Sequence, residues 1–249
     1  MTWLDVVILL VGGAFAGAVN AMAGGGSMLT VPLLVVAGVP GGAANGSNRV
    51  GILTSTWFSF VAFRREGMSV DTKMFGRVIP PALLGALVGA YGISQLTDET
   101  FERGFGLLMI PLIILTIRKP QVRTDAKAWP HAVTVLVFFT IGIYAGAVQA
   151  GVGLVLLAAL SRSGMDLVSA NVLKVLFNFF ATVIALPVFI IQGNVHWGPA
   201  VVLAVGLSIG GWAGAKFAVR GGEKWIRLVM IVAAVALALR LLGFYDWLF

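Results

Sequence analysis

Eight apolar stretches constrain this chain more than any other feature of it. They run at roughly Trp3–Ala23, Ala44–Phe63, Met74–Leu96, Gly104–Ile117, Pro130–Ala150, Leu167–Gln192, Gly198–Val219 and Trp225–Leu242. A helix needs about 20 residues to cross the hydrocarbon core of a bilayer, and a shorter one must tilt, thin the bilayer or stop inside it. Only 11% of the 249 residues are charged, whereas an ordinary soluble domain carries about 25%. A soluble body of this size has no room to hide so much apolar surface, so lipid must be the solvent for much of it. The expectation is an all-α, polytopic membrane protein. The opening Met1–Gly26 has Ala21-Met22-Ala23 where a signal peptide has its cleavage site, but it lacks a basic leader and reads as a retained first helix.

Two further apolar pieces, Ser27–Val39 and Leu154–Leu160, are too short to cross comfortably, and each follows a glycine-rich break. Gly24-Gly25-Gly26-Ser27 interrupts the first apolar run and Gly151-Val152-Gly153 the fifth. Three consecutive glycines each weaken a helix by about 1 kcal/mol relative to alanine, and Ser27 is placed to cap the helix that restarts. Unwound backbone at membrane depth survives only where protein buries it or water reaches it. The expected count is about eight transmembrane helices plus two short broken or re-entrant half-helices.

The two breaks belong to an internal repeat. Gly13-Ala-Phe-Ala-Gly17-Ala-Val-Asn20 matches Gly142-Ile-Tyr-Ala-Gly146-Ala-Val-Gln149 at an offset of 129. Ala44-Asn45 then matches Ala170-Asn171 at 126, and Gly85 and Gly89 match Gly210 and Gly214 at 125. The chain divides into halves of about 1–124 and 125–249 within one membrane domain. Basic residues crowd into 64–73 (Arg64, Arg65, Lys73), 118–128 (Arg118, Lys119, Arg123, Lys127) and 219–227 (Arg220, Lys224, Arg227). The positive-inside rule puts these loops in the cytoplasm, and the N-terminal end, 97–103 and 193–197 outside. Repeat-equivalent loops then face opposite sides. That is an inverted repeat, which in secondary transporters places a site at the repeat interface near mid-membrane.

With no cysteine and only His131 and His196, far apart, neither a metal site nor a cofactor is expected. The net charge of +7 sits mostly in loops, which argues against nucleic acid as a partner. All ten carboxylates lie in loops or at segment ends. Arg49 and Lys174 differ from the other bases, because each falls within the first turns of a long apolar segment, near the repeat-equivalent of the other. A base at the centre of a membrane helix costs about 2.5–3.5 kcal/mol on insertion scales, which makes it a functional candidate; snorkelling to the headgroups is the alternative. Lys216 and Arg240, at segment ends, read as snorkelling anchors. The spacings Gly13/Gly17, Gly85/Gly89, Gly142/Gly146 and Gly206/Gly210/Gly214 read as helix packing, and leave a homodimer open. Asn20, Asn45 and Asn48 in one half and Gln149, Asn171 and Asn178 in the other gather beside the breaks. Backbone N–H groups, amide donors and two cations without a carboxylate describe an anion site. Its candidate residues are Asn20, Gly24, Gly25, Gly26, Ser27, Asn48, Arg49, Gln149, Gly151, Gly153, Lys174 and Asn178. An anion channel is the nearest alternative function. An intramembrane enzyme lacks any carboxylate or histidine at a segment centre.

The stretch Gly17-Ala-Val-Asn20-Ala-Met-Ala-Gly24-Gly25-Gly26-Ser27-Met-Leu-Thr30-Val31-Pro32-Leu33, followed by Ala44-Asn45-Gly46-Ser47-Asn48-Arg49, resembles the TauE/SafE sulfite exporter family. Gly146-Ala-Val-Gln149-Ala-Gly151-Val-Gly153 and Ala170-Asn171-Val-Leu-Lys174 resemble that family's second copy, so the resemblance covers nearly the whole chain. It implies a permease for sulfite or an organosulfonate in the bacterial cell inner membrane; the loop charges place both termini on the periplasmic side. The family's first motif usually reads Gly-Thr-Asn-Lys where this chain has Gly46-Ser47-Asn48-Arg49. Arginine keeps the charge as a planar fork that does not give up its proton.

Overall fold

The structure, a computed structural model, describes residues 1–117, 129–163, 165 and 167–218. The expected segment Trp225–Leu242, Arg240 and the basic loops 118–128 and 219–227 lie, wholly or nearly so, outside the described residues. Among those described there are nine α-helices and no strand: α1 Trp3–Ala23, α2 Ser27–Val36, α3 Gly41–Arg65, α4 Thr72–Ile93, α5 Asp98–Ile117, α6 His131–Ala147, α7 Val152–Arg162, α8 Leu167–Ile191 and α9 Trp197–Ala218. Four stretches, Trp3–Met22, Thr72–Ile93, Ser169–Ile191 and Trp197–Phe217, are long and apolar enough to cross a membrane by length and composition. α3 is as long, but Asn45, Ser47, Asn48, Arg49, Ser55, Thr56 and Ser59 on it are buried against other helices. A helix screened from lipid by its neighbours need not be apolar all round.

Short-range chemistry sets the helix starts. Thr2 and Asp5 form a capping box on α1, satisfying two of the N–H groups a helix start leaves free. Asp71 accepts from Met74 N at 2.9 Å to start α4. Asp98, in the first turn of α5, accepts from Gly42 N at 2.8 Å and so also neutralises the start of α3.

Glycine stripes bring the long helices to backbone contact. α1 lies along α9, where a methyl at Gly17 would strike Leu207 O and one at Gly210 would strike Ala14 O. α4 lies along α6 in the same way, with Gly89 against Ile143 O and Gly146 against Ala86 O. The stripes are thus used inside the chain, which removes them as a dimer surface. A buried methyl with no space costs about 1–3 kcal/mol. Gly89→Ala should therefore lower the thermal unfolding midpoint in detergent. Gly76→Ala, also in α4 but with nothing within 4 Å, should leave the midpoint unchanged or raise it.

The apolar cores do not follow the sequence halves. One cluster joins α1, α2, α5 and the start of α3 to Leu203 and Leu207 of α9. A second joins α6, α7 and α8 to Val78, Ile79, Ala82 and Ala86 of α4. The first also holds Val148 and Ala150 of the second break. Two smaller clusters tie the halves together, one of Ala21, Ala62 and Phe63 with Val172, Val175 and Ala215 and one of Ala90 with Ala185 and Phe189. α2 folds back along α1, since Gly26 abuts Ala16 and Asn20 while Leu33 packs on Gly12.

Candidate functional site

The first break is closed by Gly24 in the left-handed region (φ 80°), whose N–H donates to Asn20 O at 3.0 Å and Val19 O at 3.2 Å. The cap position of α2 is Gly26, with no side-chain cap. Ser27 is therefore not the expected N-cap. It is the first helical residue, and its hydroxyl donates across the chain to Gln149 O at 2.8 Å. The second break is built alike, with Gln149 at φ 60° and Gly151 at φ 65° before α7. The two breaks meet. A Cβ on Gly24 would stand 2.6 Å from the Gly153 carbonyl carbon, and one on Gly153 would strike Gly24 Cα. These two glycines are 129 residues apart, which is the repeat offset, so each touches its own equivalent.

Arg49 and Lys174 are fully buried, and neither snorkels. Arg49 reaches from α3 to the C-terminal end of α6. Its Nη1 donates to Ala145 O at 3.1 Å, and its Nη2 donates to Gly146 O and, at 3.1 Å, to Ala147 O. Asn45, one turn earlier, donates to the same Ala147 O at 2.7 Å. Lys174 reaches from α8 to the end of α1, donating to Asn20 O at 3.1 Å and Ala21 O at 3.3 Å, and Asn171 donates to Ala21 O at 3.3 Å. A helix end leaves four carbonyls without partners and about half a negative charge, which each cation covers. Among the described residues no carboxylate meets either cation, and the ion pair found there, Arg103 with Glu99, lies on the surface.

The cations stand at different depths. The Arg49 guanidinium carbon lies 4.5 Å over the Phe189 ring, and Trp57 packs on Phe179 at 5.7 Å, so α3 and α8 run antiparallel. Phe189 is 15 residues beyond Lys174 on α8, about 22 Å of helix at ~1.5 Å per residue, so the two cations are held at different levels of α8. Between them lie Gly24 and Gly153, the starts of α2 and α7, and the polar stripe Asn178 and Thr182 on α8. All of the candidate residues are buried around this line. Asn20 contributes its backbone carbonyl.

Several polar atoms on this line have no partner: both atoms of the Asn48 amide, Arg49 Nε, and the side-chain oxygens of Asn45, Gln149, Asn171 and Asn178. The orientation of Gln149 is fixed by chemistry. Thr182 Oγ1 gives its one proton to Asn178 O at 2.6 Å, so it accepts from Gln149 Nε2 at 2.7 Å, and Gln149 Oε1 points elsewhere. An unpartnered buried group costs about 1–3 kcal/mol, so each of these atoms calls for a water, an ion or a ligand. Sequence reasoning missed Thr182 and the capping roles of Asn45 and Asn171. The one signal for Thr182 was its place one turn beyond Asn178 on a buried stripe.

Long apolar helices, with two glycine breaks meeting between buried cations, are the features of a multi-pass membrane protein. The family model described as "Sulfite exporter TauE/SafE" matches residues 9–241, and the chain belongs to that family. It is 27% identical to the "Probable membrane transporter protein ORF9" of Sinorhizobium sp, over 96% of this chain and 92% of that one. It is 22% identical to a "Probable membrane transporter protein" of Haemophilus influenzae, over 97% and 96% of the two chains. With the "Probable membrane transporter protein YfcA" of Escherichia coli K12 it shares 23% identity, over 93% and 86%. No solved structure matches it.

Proposed function

We propose that this protein carries a small sulfur-containing anion, sulfite or an organosulfonate, across the bacterial inner membrane by secondary active alternating access. The observation that carries this reading is the balance of charge at the joined breaks. Two helix C-termini there are neutralised by Arg49 and Lys174, while the N-terminal ends of α2 and α7 keep their partial positive charge. Asn48 Nδ2 and Arg49 Nε add donors in search of an acceptor. The fixed Gln149 oxygen asks for a donor in return, which hydrogensulfite brings as its one O–H and a fully ionised sulfonate does not, so this contact favours sulfite.

The inverted repeat, with eight spans, two re-entrant half-helices and periplasmic termini, belongs to the same reading. It is supported by the exchange of partners, α1 with α9 and α4 with α6, and by the matched caps of Asn45 with Arg49 and Asn171 with Lys174. The moving bodies are then not residues 1–124 against 125–249, because the two larger apolar clusters each draw on both halves.

Uptake of labelled sulfite and sulfoacetate into proteoliposomes tests the proposal. Flux should saturate and show counterflow, and Asn48→Ala, which removes only unpartnered atoms, should lower kcat/KM about tenfold without loss of folded protein. Flux that never saturates would make the protein a channel. Absence of flux for both anions would sink the substrate assignment.

A further inference from the structure

In broken-helix transporters the carbonyl-rich C-terminal half-helix ends and the unwound backbone beside them are where coupling cations settle. Here both ends are already taken by side chains of the chain itself. Three carbonyls at the end of α6 receive Arg49, and two at the end of α1 receive Lys174. Asn45 and Asn171 complete the caps from one turn away, each sharing a carbonyl with its cation. Each cation crosses to a helix of the other half; Arg49 and Lys174, like Asn45 and Asn171, hold repeat-related places, while the carbonyls they reach lie about one turn out of the 129-residue register. We infer that Arg49 and Lys174 are tethered counter-cations, each holding the place that a sodium or potassium ion takes at a broken helix end, so that neither end requires an inorganic cation.

Both are positioning residues on this assignment. They hold the ends of α1 and α6, and through them the Gly24–Gly153 contact and the left-handed turn at Gln149. Among the described residues no group of three or more His, Cys, Asp or Glu side chains gathers to hold a metal. The inference concerns the helix ends and does not depend on which anion is carried.

The test follows thermal unfolding of the purified protein in detergent while choline is exchanged for sodium, potassium or propylammonium. The wild type should be indifferent to the exchange. Lys174→Ala, with Asn171 intact, should unfold several degrees lower, and sodium or propylammonium should raise its midpoint saturably. Tetramethylammonium, which has no N–H to donate, should not. A saturable sodium or potassium response of the wild type would overturn the inference, and so would a folded Lys174→Ala that no cation restores. If that variant fails to fold, Lys174→Gln and the wild-type exchange decide the matter alone. The readout needs no substrate, so failure of the sulfite reading leaves it standing.

Discussion

Alanine at Gly24 is expected to destabilise this protein by about 3 kcal/mol or more, through two costs that add. The residue sits at φ 80°, where a side chain costs about 1–2 kcal/mol. Its methyl would also stand 2.6 Å from the backbone of Gly153, and forcing a methyl into packed backbone costs about 1–3 kcal/mol more. No rotamer relieves the clash, because both sides of it are main chain. Gly153→Ala meets the same wall from the other side, without the cost at φ. The expected order of unfolding midpoints is wild type, Gly153→Ala, then Gly24→Ala. Gly38→Ala is the control, because it shares the left-handed backbone (φ 82°) but has nothing within 4 Å. A Gly24→Ala protein no less stable than Gly38→Ala would mean that the breaks do not touch.

Much of this arrangement was legible in the sequence, and the boundary of what was legible is physical. Glycine runs mark the breaks because three glycines cannot hold a helix against its alternatives. The stripes at Gly13/Gly17 and Gly85/Gly89 announce close packing because nothing else fits between two helix backbones. The stretch Ala44–Phe63 was legible and became α3, but hydropathy, which reports contact with lipid, gave no reason for its polar residues. Asn45, Asn48 and Arg49 lower the apolar character of a helix whose polar face never meets lipid. Ser27 was expected to cap its own helix, as a serine after a glycine break does when the nearest acceptor or donor is local. Its partner is Gln149 O, 122 residues away, and no local pattern encodes a contact of that range. The cations follow the same logic. The sequence marks Arg49 and Lys174 as repeat-related bases in apolar segments, with snorkelling as the alternative, but not that each is buried over a helix end of the other half. Gly24 and Gly153, one repeat offset apart, meet backbone to backbone; the sequence singled out both breaks but not this contact.

The cap at the end of α6 should respond to mutation in a way that separates shared from independent bonds. Arg49→Met keeps the length of the side chain and removes donors from Ala145, Gly146 and Ala147. With bonds from a charged donor worth about 1.5–3 kcal/mol each and some of those carbonyls re-pairing, a loss of about 3–5 kcal/mol follows. Asn45→Ala should cost about 1 kcal/mol, the ordinary value for a neutral bond. Ala147 O is covered by both residues, so either single change leaves it one partner and only the double change orphans it. The double mutant should therefore fall below the sum of the singles by about 1–2 kcal/mol, within the coupling expected of residues that share a partner. Arg49→Lys should retain most of the stability, because Lys174 caps the end of α1 with a single ammonium on two carbonyls. Denaturant unfolding of the four proteins in one detergent measures the cycle. Strict additivity would show that Asn45 and Arg49 act on separate groups, and an Arg49→Met protein as stable as the wild type would show that the end of α6 needs no cation.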